Sequence, residues 1–385
     1  MKKKIYYWSP CLNPVGTVIS TINSSLSISK YSQEFEVSIL NTCGEWDKFR
    51  SEFTRENIEV LDIGPKYFKF LPKNGFIQSR LSYIIIFLFS FIPLLIVLKK
   101  KKPNLIIAHL ITSLPILIFK LFNFDTKLIL RISGMPKLNF LRKNFWKFCS
   151  SKIDIITCPS IELKNKMTKL NILDEIKIFY LPDAVINIKK YRKQIKTNNE
   201  FKKLFSDENT IFLAAGRLTN QKNFAYLIEE FSKFYFENKN SRLVILGEGE
   251  EMKKLKNLVN EKKLNSVIYL LGKVDNVLRY MKDSDAFILS SKWEEMGFVI
   301  IEAALSNLFI ISSNCPNGPS EFLNYGKFGI LFENNKKNAL YLSLVKYNQL
   351  KEKIKYKNKI QTKKNSVNFT MFRHFKILSE IISKK

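Results

Sequence analysis

Short apolar runs alternate with longer stretches of mixed polarity along the whole chain. Residues 5–8, 37–40, 105–108, 128–132 and 153–158 read as strands of a first α/β unit, each followed by a stretch of helix length. Strands apolar on both faces belong in a parallel sheet that helices cover on each side. The pattern stops after Leu181-Pro182-Asp183, and the lysine-rich, weakly periodic stretch 187–205 reads as an interdomain linker. Strands resume at 210–215, 242–246, 268–270, 286–289 and 308–312, with helices near 224–236, 250–261, 277–282 and 298–305. A final helical pattern, 369–382, is placed to pack back on either domain. The fold expected is α/β, with two doubly wound domains, 1–186 and 187–368, facing a central cleft, and a C-terminal helix in 369–385. Ligands of such sheets sit at the C-terminal ends of the strands.

A length of 385 residues suits two domains with separate cores, and the 46% hydrophobic content is that of a globular chain. Charge changes the picture more. A formal net charge of +29 calls for a polyanionic partner: nucleic acid, anionic lipid or a phosphorylated substrate. The lysines cluster at 2–4, 99–102, 189–203 and 351–364, with neither the glycine–aromatic spacing of an RNA-binding sheet nor a zinc-finger pairing, so no nucleic-acid partner is expected. The 5 cysteines carry no C-x-x-C and the apolar stretch after Met1 is too short for a signal peptide, which points to the reducing cytoplasm. From Leu81 to Leu98 the chain is apolar apart from Ser82, Tyr83 and Ser90, with Arg80 before it and four lysines after it. Pro93 interrupts the run, and the strand that follows belongs to the same domain as the residues before it. A core or membrane-surface helix is therefore expected in preference to a span, with the Lys run facing anionic headgroups on the inner face of the plasma membrane.

Two strand-to-helix loops carry the chemistry. In Ala215-Gly216-Arg217-Leu218-Thr219-Asn220-Gln221-Lys222, Gly216 permits a tight strand exit, and Arg217 and Lys222 bring two cations to a strand end where an anionic ligand lies. In the second, Ser291-Lys292-Trp293-Glu294-Glu295-Met296-Gly297-Phe298-Val299, the carboxylate Glu294 stands at a strand end. Backbone amides of Gly297, Phe298 and Val299 open the next helix, and Glu302 follows. Helix N-termini attract phosphate, whereas carboxylates accept hydrogen bonds from sugar hydroxyls. One ligand with a diphosphate and two sugars fits both loops.

These residues resemble a known family. Gly216-Arg217 with Lys222, followed by a Glu-x7-Glu pair in an S-x-W-E-x-x-G-F context, is similar to the family-four retaining glycosyltransferases of the GT-B fold, which is built of two Rossmann-like domains. Asn314-Cys315-Pro316-Asn317-Gly318-Pro319-Ser320-Glu321 resembles a segment of the bacterial members that build surface polysaccharides. Arg131-Ile132-Ser133-Gly134, Cys158-Pro159-Ser160 and Leu181-Pro182-Asp183 resemble segments of that family's acceptor domain. The resemblance implies a UDP-sugar or similar nucleotide-diphosphate donor, a lipid-linked or polysaccharide acceptor, and no metal or other cofactor. It implies that Arg217 and Lys222 neutralise the diphosphate, Glu294 holds the donor sugar and Glu302 the ribose. The loop from Pro10 to Thr17 departs from the family in offering only Gly16, and Glu295-Met296 replaces the usual Gly-Phe.

His109 ends a strand and either touches the donor sugar or is a satisfied structural residue; His374 reads as structural. Asp283-Ser284-Asp285 imitates a metal-binding D-x-D but precedes a buried strand, so Asp285 is expected as a turn residue. Two other functions fit the composition: a sugar-nucleotide epimerase, which would act without an acceptor, and a non-catalytic basic protein, whose binding would follow salt alone.

Overall fold

The computed structural model describes residues 2–12, 16–72, 76–136, 139–196, 201, 205–206, 208–334 and 336–384. The chain divides into two compact units, Met1–Val185 with Met371–Lys385, and Ile186–Thr370.

The first unit runs β1 (Lys3–Trp8), α1 (Gly16–Tyr31), β2 (Phe35–Asn41), α2 (Arg50–Arg55), β3 (Glu59–Asp62), α3 (Phe76–Phe89), α4 (Phe91–Lys101), β4 (Leu105–Ala108), α5 (Ser113–Leu121), β5 (Lys127–Arg131), α6 (Phe140–Cys149), β6 (Ile155–Cys158), α7 (Ile161–Lys169) and β7 (Ile178–Tyr180). Its seven strands pair in parallel in the order β3-β2-β1-β4-β5-β6-β7, so the winding direction reverses between β1 and β4. Alternation along each strand feeds two cores. Tyr6, Trp8, Ile106 and Leu128 pack with Leu98, Ile118, Trp146 and Met167 of α4 to α7. Ile5, Tyr7, Val37 and Ile107 face the other way, against Val18 and Ile22 of α1. Each such fully buried apolar side chain contributes about 1.5–3 kcal/mol.

The segment from Leu81 to Leu98 is not one helix. It breaks at Ser90, where Arg80–Phe89 and Phe91–Lys101 meet at 41°, and among the described residues no single helix is long and apolar enough to cross a membrane. The break falls before Pro93, which places that residue in the first turn of α4, where a missing N–H costs nothing. Ser82, Ile86, Ser90, Leu94 and Leu98 are buried at four-residue intervals, while Leu81, Ile84, Leu88, Phe89, Ile92 and Ile96 stay exposed. The outward face is as apolar as the inward one.

The second unit runs α8 (Ile188–Gln194), β8 (Thr210–Ala215), α9 (Phe224–Glu237), β9 (Ser241–Leu246), α10 (Met252–Glu261), β10 (Ile268–Gly272), α11 (Val277–Lys282), β11 (Ala286–Leu289), α12 (Phe298–Leu305), β12 (Phe309–Ser313), α13 (Pro319–Phe322), β13 (Ile330–Phe332), α14 (Ala339–Gln349) and α15 (Glu352–Ser366). Six parallel strands follow the order β10-β9-β8-β11-β12-β13, and here the reversal lies between β8 and β11. Part of the expected linker is helical: the Asn187 side chain accepts from Lys190 N at 3.2 Å and so starts α8. Residues 197–200 and 202–204 of that stretch lie outside the described residues. The chain then returns to the first unit as α16 (Met371–Ser383), whose Met371, Leu378 and Ile381 join the α1 side of the first sheet. Tyr31 of α1 meets Phe372 edge-on at 5.3 Å between centroids.

Candidate functional site

In the second unit the two chemistry-bearing loops leave β8 and β11, the adjacent strands at which the winding reverses. A doubly wound sheet opens its ligand crevice at that point. The loops are fastened to one another along their length. Lys292 N donates to Gln221 O at 2.8 Å, Gln221 Nε2 to Trp293 O at 2.9 Å, and Ser290 Oγ to Lys222 O at 2.8 Å. Lys292 Nζ also donates to Asn220 Oδ1.

This fastening delivers Lys222 to Glu294, with Nζ 2.5 Å from Oε1 and side chains only 15% and 7% exposed. Ser291 Oγ donates to the same carboxylate oxygen at 2.5 Å. The Arg217 side chain is exposed and has no ion-pair partner among the described residues. The cations therefore part company: Lys222 is joined to the acid, and Arg217 is left facing solvent. Glycine is required behind them, because a Cβ on Gly247 at the end of β9 would lie 1.8 Å from Gly216 O. Gly297 caps α12 at φ +67°, a left-handed conformation that glycine reaches without strain. Phe298 and Val299 then form the first turn of α12, whose N–H groups a helix leaves unpaired.

Glu302, one turn further along α12, is half-buried and does not share the Lys222–Glu294 contact. Burial pushes its carboxyl up to about 7, and Lys190 on α8 partly offsets this. Tyr191 of the same helix donates to Leu305 O at 3.2 Å. Behind Glu294, its N–H reaches Pro316 O at 3.4 Å, and burial raises the nearby Cys315 thiol to about 11. The D-x-D look-alike is structural: Asp285 Oδ2 accepts from Ile211 N at 2.8 Å, joining β11 to β8, and Asp283 pairs with Arg279 at 2.9 Å.

The first unit has its own reversal point, between β1 and β4, and His109 stands there, 4% exposed. Its Nδ1 lies 2.9 Å from Thr21 Oγ1 on α1. Burial, aided by the charge of Arg131, drives its pKa well below the usual imidazole value. Arg131 and Asp183 form an ion pair with each side chain 5% exposed. Ser20 bridges them, accepting from Arg131 at 2.7 Å and donating to Asp183 at 2.9 Å. Two sequence segments singled out separately thus meet in one buried pair. His374 is fully buried, its Nδ1 2.7 Å from Pro182 O and its Nε2 2.8 Å from Ser24 Oγ, with its pKa pushed down to about 3, chiefly by burial. Gly16 is exposed at the start of α1, and residues 13–15 of its loop lie outside the described residues.

Sequence reasoning missed Ser291, Lys190 and Thr21. Ser291 was quoted only as motif context, Lys190 was hidden in a lysine run, and Thr21 lies in a Ser/Thr-rich stretch with no distinguishing signal.

Two parallel doubly wound units, each with its own winding reversal, define a protein of the GT-B fold class. Solved structures share that fold over the entire chain. A glycosyltransferase from Rickettsia africae matches with TM-score 0.79 and 17% identity, covering 100% of both chains. Anabaena Alr3699/HepE in complex with UDP matches with TM-score 0.72 and 14% identity, again covering 100% of both. Residues 195–365 match the family described as Glycosyl transferases group 1, and by this match the chain's second unit belongs to it. The chain is 33% identical over 276 residues to a Methanocaldococcus jannaschii glycosyltransferase, MJ1059, covering 61% of this chain and 64% of that protein. It is 26% identical over 251 residues to the Campylobacter jejuni N-acetylgalactosamine-N,N'-diacetylbacillosaminyl-diphospho-undecaprenol 4-alpha-N-acetylgalactosaminyltransferase, covering 64% of this chain and 67% of that protein. The chain thus spans about two thirds of the length of these relatives.

Proposed function

We propose that the protein is a retaining glycosyltransferase that moves a hexose or N-acetylhexosamine from a nucleotide-diphosphate sugar, UDP-linked, to a lipid-linked or polysaccharide acceptor at the anionic inner face of the membrane. The observation that carries the proposal is the fastening of the β8 and β11 loops, which sets the Lys222–Glu294 pair and the solvent-facing Arg217 beside one strand reversal. A carboxylate held by Lys222 and Ser291 is a fixed acceptor for donor-sugar hydroxyls, while Arg217 is free to meet the diphosphate and the charge that builds there as the sugar departs. Glu302 takes the ribose hydroxyls. The nucleotide sugar is a substrate, and transfer proceeds without added metal.

Names of relatives support the choice of substrates. The Campylobacter protein is named for an acceptor on diphospho-undecaprenol, and the Anabaena protein was solved with UDP. The exposed apolar stripe of α3 and α4, next to Lys99, Lys100 and Lys101, supports a membrane-surface acceptor.

The test is release of UDP from a panel of UDP-hexoses and UDP-N-acetylhexosamines in the presence of EDTA, with undecaprenyl-diphosphate-linked sugars in anionic vesicles as acceptors. Arg217→Ala is expected to weaken donor binding by one to two decades, from the roughly 1.5–3 kcal/mol of a charge-assisted hydrogen bond. Glu294→Gln is expected to abolish transfer with the fold intact. Parent-rate transfer by both variants would refute the site assignment.

A further inference from the structure

Trp293 differs from every other tryptophan in the chain. Of the 4, Trp8, Trp46 and Trp146 are 0% exposed, whereas Trp293 is 49% exposed. Large aromatic rings contribute most to stability when buried, so an indole left half in water forgoes that gain. The cause is not a loose loop, because every residue from Ser290 to Glu294 is tied to a neighbouring segment. Besides the bonds to Gln221 and Lys222, Ser313 Oγ donates to Ser291 O at 2.7 Å, Asn334 Nδ2 to Lys292 O at 2.7 Å and Glu294 N to Pro316 O at 3.4 Å. Gly318 closes on the same loop, where an added Cβ would lie 2.8 Å from Met296 Cα. The Trp293 carbonyl itself accepts from Gln221 Nε2 at 2.9 Å, so the backbone that carries the indole is fixed.

Around the ring the chemistry is polar. Gln221, Lys292 and Glu294 adjoin Trp293 in the chain or through these bonds, and Glu295 is exposed two positions on. Among the described residues no aromatic ring or cation stacks on the indole. A protein partner needs a broad apolar area about such an anchor. A pyranose needs less. Its hydroxyls lie round the rim and its C–H groups on the faces, so one flat apolar surface among hydrogen-bonding groups matches it.

We propose that Trp293 is a stacking platform for a pyranose ring, placed beside the Lys222–Glu294 pair. The Glu294 carboxylate turns inward to Lys222, and the indole that precedes it meets solvent, so a ring entering from outside reaches Trp293 first. Because the backbone is already fixed, stacking costs little further ordering of the protein. That the pyranose is a donor or acceptor sugar rests on the transferase reading; the immobile, half-exposed indole does not.

The experiment reads tryptophan fluorescence. With the other three indoles buried, acrylamide reaches Trp293, and Trp293→Phe is expected to abolish the quenchable emission. UDP, UDP-glucose, UDP-N-acetylglucosamine and methyl N-acetylglucosaminide are each titrated into the parent protein. Protection from acrylamide by a UDP-sugar but not by UDP assigns the donor sugar to the platform, and protection by the methyl glycoside assigns an acceptor sugar. Protection by UDP as strong as that by the UDP-sugars would place base or diphosphate over the indole and overturns the proposal; so does protection by none of the four. Trp293→Ala is expected to raise the dissociation constant of the protecting sugar roughly five- to thirtyfold and to leave that of UDP unchanged, while Trp293→Tyr restores most of the affinity. Equal weakening of UDP, or a Trp293→Leu protein that binds sugar as tightly as Trp293→Tyr, would reveal an ordinary structural residue. A parent protein that consumes no nucleotide sugar but is shielded by the methyl glycoside refutes the transferase reading alone. An active transferase whose indole no sugar shields refutes this inference alone.

Discussion

Removing Lys222 isolates Glu294 in a place built for a pair. At 2.5 Å, with side chains 15% and 7% exposed, the two charges are largely withdrawn from water. With an effective dielectric of about 20 their attraction is roughly 6–7 kcal/mol, and desolvation of both ions takes back most of it. The loss of one partner from a buried pair costs about 3–5 kcal/mol, because the other charge stays behind uncompensated. Ser291 still donates to the carboxylate, so Lys222→Met belongs at the low end, about 3 kcal/mol. In a unit of this size that lowers the melting temperature by roughly 6–12 °C. Glu294→Gln in the Lys222→Met background relieves the stranded charge, and the double variant should recover about 1–2 kcal/mol relative to Lys222→Met alone. Scanning calorimetry of the four members of the cycle measures the coupling. Additive single effects, with coupling below about 0.5 kcal/mol, would refute the claim that the pair is an energetic unit.

Two further outcomes follow from local physics. Glu302, with its carboxyl pushed by burial up to about 7 from an ordinary 4.5, favours the folded state most when protonated. That stability is fully present below pH 4.5 and is lost as pH rises through 7. Glu302→Gln should therefore stabilise the protein at pH 8 by up to about 3 kcal/mol, less for its partial exposure, with no gain at pH 4; equal gains at both pH values would contradict the burial argument. Gly297→Ala meets no atom closer than 3.7 Å and should cost only the left-handed backbone, about 1–2 kcal/mol, whereas the Gly247→Ala methyl lands 1.8 Å from Gly216 O and should lower the melting temperature far more. Equal melting temperatures for the two variants would show that the backbones part easily.

The central strands were legible because each is a short, mostly apolar run between helix-length stretches, and the Ser291–Val299 loop because Gly297 and two carboxylates punctuate it. The edge strands β3, β7 and β13 escaped. Glu59–Asp62 carries acids at both ends, and Ile178–Tyr180 and Ile330–Phe332 hold three residues each, too few to show a period. The break at Ser90 was legible in part, because Pro93 interrupts the apolar run and falls in the first turn of the helix that follows the break. Helix α8 was hidden by lysines, although Asn187 is a readable cap and Tyr191 an anchor. Contacts such as Arg131 with Asp183, or Thr21 with His109, join residues far apart in the chain and depend on strand order, which composition does not encode.

The return of α16 gives the protein a vectorial constraint. His374 sits between Ser24 and Pro182, and Met371, Leu378 and Ile381 complete the α1 side of the first sheet. The half of the molecule synthesised first therefore closes only after residues 371–383 have left the ribosome, later than the Ile186–Thr370 unit that intervenes. Until then α1 lacks its cover, and a nascent chain stalled in the second unit exposes apolar surface to chaperones. A tag or cut placed within those thirteen residues would injure the N-terminal unit.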